Sequence, residues 1–134
     1  MTDRPTREQV AAEPAGRRLD AWVHEIVFGR VTRPVRVCGS TETVEVYDDK
    51  PHYTDGWYDR GDLARAGTPP AYSTDPGAAW AVVEHLRAAG WFVKIYDPME
   101  LDEWGICLLC PGRPEVSAMD AKMPVAVCRA AVLA

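Results

Sequence analysis

The chain has 134 residues, a formal net charge of −5, and 47% hydrophobic against 26% charged residues. That length can bury a core without disulfide or metal staples, and a single domain over 1–134 is expected. The acidic balance argues against a nucleic-acid partner, whose phosphates need a basic surface, and the apolar runs are too short to cross a membrane.

The first residues, MTDRPTREQV, carry no apolar signal region, so no secretion is expected. Thr6-Arg7-Glu8-Gln9 fits a capping box and predicts a short helix over about 7–12, stopped by Pro14. A second helix is predicted from about Ala15 to Phe28, closed by Gly29. Leu19, Trp22, Val23, Ile26 and Val27 recur at helical spacing and form its apolar stripe, with Arg17, Arg18, Asp20 and Glu25 off it.

The segment Pro34–Asp49 alternates, with Val35 and Val37 before a Gly39-Ser40-Thr41 turn and Val44 and Val46 after it. It reads as a β-hairpin. Lys50–Ala71 is rich in Gly, Pro and Asp and has no periodicity, so it reads as a long loop, a length often tied to function. Asp75 as N-cap and Pro76 at the first helical position open the next helix. Ala79, Trp80, Val83 and Leu86 are its expected buried stripe, and Gly90 ends it. Trp91–Asp97 and Trp104–Cys110 read as an antiparallel pair, PGRPEVSAMDAKM as loop, and Pro124 opens a last helix with Val127, Cys128, Ala131 and Val132 inward. This order predicts an α+β protein.

Cys107 and Cys110 form a C-x-x-C, but on a strand residues three apart face opposite sides. With no second such pair, Cys38, Cys107, Cys110 and Cys128 are read as buried thiols, and no metal or cofactor is expected. His24 and His85 are read as solvated or core-edge residues. His52 lies in the long loop with Tyr53, Asp55, Trp57, Tyr58, Asp59 and Arg60, a set that suits a ligand site or a loop pinned by its aromatics. Trp22 and Trp80 are expected in the core, Trp91 and Trp104 stacked across the sheet, and Trp57 exposed. Nucleotide-binding and hydrolase motifs such as G-x-x-x-x-G-K-[ST], G-x-S-x-G and H-E-x-x-H are missing, so a non-enzymatic role is expected.

The segments AGRRLDAWVHEIVFG, PPAYSTDPGAAWAVVEHLRAAGW and PVAVCRAAVLA resemble the phage ABA-sandwich domain family. Family members open with an AG-[RE]-x-hydrophobic-[DN] helix, place a P-x-YSTD turn before the central helix, and close on an A-x-CRA-A-hydrophobic-L helix. The resemblance spans about Thr6 to Ala134, with YSTD before the Trp80 helix its most specific part. It departs at Met123, where the family has Thr, and over Tyr47–Gly67, which follows no family pattern. It implies helices packed on both faces of a small antiparallel sheet, an α/β/α sandwich, and a phage or prophage accessory protein acting in the bacterial cytoplasm.

Phage origin and loop composition together suggest sequestration of a small nucleotide-derived ligand such as a host immune signal. Trp57, Tyr58 and Tyr72 would stack on the base, while Arg60, Ser73 and Thr74 would meet phosphates. Such a sponge is compatible with a homo-oligomer. The alternatives are an adaptor that docks a host protein through the acidic aromatic loop 47–62, and a hydrolase using Asp55, Asp59 or Asp62 with a metal.

Overall fold

The structure, a computed structural model, describes residues 4–30, 32–37, 43–47, 57–58, 69–98 and 102–134. Helix α1 (Arg7–Ala12) begins with the expected capping box. The Gln9 N–H donates to Thr6 Oγ1 at 3.1 Å, and the Thr6 N–H donates to Gln9 Oε1 at 2.8 Å. Helix α2 (Arg17–Trp22) is α-helical only to Trp22 and then widens into a π-helical turn, Val23–Val27. The widening shows in the Phe28 N–H, which donates to the Val23 carbonyl at 3.3 Å, and it carries both Val23 and His24 into the interior.

Strands β1 (Thr32–Val37) and β2 (Thr43–Tyr47) pair antiparallel with Val35 opposite Val44, as the alternation predicts. Residues 57–58 are a two-residue strand, β3 (Trp57–Tyr58), parallel to β1. It interrupts the stretch expected to be pure loop; most of that stretch lies outside the described residues.

Helix α3 (Pro76–Ala88) starts at Asp75, whose Oδ1 accepts from the Gly77 N–H at 3.0 Å. Its buried row is Ala79, Val82, Val83 and Leu86. Trp80 is 46% exposed, which corrects its expected place in the core. The true row follows i, i+3, i+4, i+7 from Ala79, and Trp80 is one residue off it.

Strands β4 (Phe92–Tyr96) and β5 (Trp104–Leu109) form the expected antiparallel pair, and β6 (Val116–Asp120) extends it from a segment read as loop. Trp91 and Trp104 do not stack across this sheet, because they sit at its opposite ends. Phe92 pairs with Leu109 at one end, and Trp104 with Asp120 at the other. Trp91 is buried beneath the Arg113 guanidinium, 5.6 Å from its ring.

Helix α4 (Met123–Leu133) occupies the centre of the packing, with eight of its eleven residues buried. A helix apolar on nearly every side must be enclosed, and α4 is enclosed by β5, β6, α1, α2 and α3. Its alanines let these neighbours approach closely. Arg129 pins the assembly by donating to Asp120 Oδ1 at 3.0 Å and to the Glu13 carbonyl at 2.8 Å.

The result is an α+β sandwich in which helices pack on a three-stranded antiparallel sheet. The packed face carries Ile106, Leu108, Val116 and Ala118. On the opposite face Phe92, Tyr96 and Met119 are exposed. Among the described residues no helix is long and apolar enough to cross a membrane.

Candidate functional site

The Tyr72-Ser73-Thr74-Asp75 turn is a joint between helices. The Ser73 N–H donates to Asp20 Oδ1 at 2.7 Å, and the Gly16 N–H donates to Ser73 Oγ at 2.9 Å. Gly16 has φ +151°, which side-chain-bearing residues resist, and this bend aims its N–H at the turn. Tyr72 inserts beside the π turn, its hydroxyl 3.2 Å from His24 Nδ1 and its ring stacked on Phe28 at 5.2 Å. Phe28 also meets His85, 4.5 Å between centroids.

This placement corrects two expected ligand contacts. Tyr72 is 5% exposed and Ser73 1%, so neither faces a ligand; their polar atoms are spent on α2. Thr74 alone of the three is exposed. Of the two histidines expected to be solvated or at a core edge, His24 is instead buried, while His85 is exposed. Asp20, read as off the apolar stripe, is buried too. Burial pushes its carboxyl above the ordinary carboxylate range, against the opposing hydrogen bonds from Ser73.

Trp57 and Tyr58 sit beside β1, with Arg36 at the register of Trp57 and Val37 at that of Tyr58. Arg36 is a partner that linear reading missed, since it lies 21 positions away in sequence and only strand pairing joins the two. Arg60 lies outside the described residues, as do Cys38, His52, Tyr53, Asp55, Asp59 and Asp62 and most of the 47–62 segment. No described contact joins the β3 residues to the Tyr72 turn.

A third location is absent from the sequence reading. The outer face of β4–β5–β6 holds a groove of about 590 Å³ lined by Tyr96, Gly105, Cys107, Ser117 and Met119, with Asp97, Glu103 and Glu115 around it. Strand register assembles it, because Tyr96 pairs with Gly105, Gly105 with Met119, and Cys107 with Ser117. The alternation Phe92, Lys94, Tyr96 was the signal that could have pointed to it. Cys107 Sγ donates to Glu115 Oε1 at 3.0 Å. That carboxylate, with burial adding to it, pushes the thiol above the ordinary range and keeps it protonated. Cys107 and Cys128 are buried as expected, Cys110 half-buried, and all three are free thiols. Among the described residues no three His, Cys, Asp or Glu side chains group to hold a metal.

Residues 36–132 match the phage ABA sandwich domain. The chain belongs to that family. A crystal structure of a phage protein from Bacillus cereus has the same fold, with a TM-score of 0.58 and 23% identity over 90% of this chain and 91% of that one. No curated protein matches the chain. Three distant segments meet at the helix joint: Gly16 and Asp20 around the start of α2, Ser73 from the turn before α3, and Cys128 from α4, whose thiol is pushed up by burial first and by the Asp20 charge second. These residues tie the layers together.

Proposed function

We propose that this member of the phage ABA sandwich family is a non-enzymatic binding protein that sequesters a small nucleotide-derived ligand in the cytoplasm of a bacterial host. The observation that carries this reading is the β1–β3 register, which pairs Arg36 with Trp57. Indole and phenol rings stack on a base, and a guanidinium pairs with phosphate. Arg60, two residues beyond Tyr58, adds a second guanidinium to the same stretch of sequence. Tyr72 and Ser73 leave the proposed contact set, since they are occupied at the helix joint.

The test is native mass spectrometry of the chain purified from bacteria with activated nucleotide signalling, followed by denaturation to release any bound compound. The expected result is a nucleotide-like adduct released intact and lost from W57A and R36A. A clean protein mass after exposure to a panel of cyclic nucleotides and ADP-ribose derivatives overturns the reading. Release of a converted product overturns its non-enzymatic part.

A further inference from the structure

We propose that the outer-face groove of β4–β5–β6 docks a segment of a partner protein that presents Arg or Lys beside an apolar residue. The groove has an apolar floor and an acidic rim. Met119 and the ring of Tyr96 supply apolar surface, and both residues are exposed. Gly105 lies directly against that ring: a Cβ there would stand in van der Waals contact, 3.4 Å from Tyr96 Cβ and 3.5 Å from Cδ2. The volume of about 590 Å³ suits two or three side chains.

The rim selects by charge. Asp97, Glu103 and Glu115 line the groove, and no Lys or Arg is among its described lining residues. Lys94, a cation on the same face, pairs with Cys107 and its charge reaches that thiol, but it lies 6.0 Å from the Phe92 ring centroid and is outnumbered by the three carboxylates. Glu115 is already held by Cys107, so less side-chain freedom is lost when a cation meets it. Such a surface attracts a guanidinium or ammonium and repels phosphate. A nucleotide therefore belongs elsewhere, and this site is separate from the one proposed around Trp57.

The occupant is a protein segment and not a lone amine, because exposed apolar surface continues past the groove to Phe92. It is not a second copy of this chain. Two such faces together would oppose three carboxylates with three, and an antiparallel β4–β4 edge pairing centred on this strand would set Lys94 against Lys94.

The test titrates the isotope-labelled full chain with end-blocked tetrapeptides, following amide resonances by NMR. One peptide alternates leucine or phenylalanine with arginine, a second replaces arginine with glutamate, and a third replaces the apolar residues with glycine. Saturable shifts at Gly105, Cys107, Ser117 and Met119 are expected with the first peptide. E103Q combined with E115Q should weaken it about five- to ten-fold, and M119A should weaken it without changing its salt dependence. Unchanged resonances at the α4 core show that the variants are folded. Equal binding of the glutamate peptide, the glycine peptide or spermidine overturns the proposal, as does no saturable shift at millimolar peptide.

Discussion

The helix joint and the outer sheet face are built from opposite materials. At the joint, Asp20, Ser73 and His24 are polar yet buried, and Asp20 and Ser73 are tied to residues more than fifty positions away in sequence. On the outer face, Phe92, Tyr96 and Met119 are apolar yet exposed. Asp20 and Ser73 are tolerated inside because they are hydrogen-bonded, and apolar groups clustered outside call for a partner. The buried polar contacts thus mark a structural joint, while the surface with room for a partner lies on the outer sheet face.

The sharpest way to break this contrast is truncation on the two sides of one sheet. Leu108→Ala on the packed face should cost about 2–5 kcal/mol in chemical denaturation, and Met119→Ala on the open face should stay within about 0.5 kcal/mol. Equal losses would mean the outer face is covered. Gly16→Ala comes next, at about 1–3 kcal/mol, because it forces a side chain onto a backbone conformation that resists one. Ser73→Ala should cost about 1–2 kcal/mol by removing the acceptor of the Gly16 N–H.

Asp20 yields a pH signature. Its folded-state pKa is raised by burial, so the folded chain holds the proton more tightly than the unfolded chain. Its contribution to stability is complete at low pH and is lost as pH rises from about 4 upward through the raised value. Denaturation from pH 4 to 8 should show the wild type losing stability relative to Asp20→Asn across that window; a constant difference would place the carboxyl in water. The smallest effect is at the groove. Glu115→Gln removes the charge that holds the Cys107 proton, so alkylation of Cys107, followed by peptide mass spectrometry, should speed up roughly a few-fold near pH 8.

The legible parts of this fold were those with local causes. The Thr6 capping box and the Asp75-Pro76 start need only residues within a few positions, and α4 shows itself by near-continuous small apolar residues. Strand β6 was hidden because its inward residues are Val116 and Ala118, a weak alternation between a proline-rich turn and the start of α4. The choice of Trp80 over Val82 for the core failed because size does not set helical phase. At the proposed ligand site, Trp57 and Tyr58 were legible as aromatics in a polar stretch, but the Arg36 neighbour needed the β1–β3 pairing.

By itself the sequence determined the α+β class, the helix starts, the β4–β5 pair and the family, since each rests on short-range periodicity, caps or a linear signature. Only the tertiary structure decided that Tyr72 and Ser73 are spent inside, that Asp20 is buried, and that Tyr96, Cys107, Glu115 and Met119 share one groove. Those facts depend on contacts between residues far apart along the chain, and burial is a property of the packed whole that no local pattern encodes.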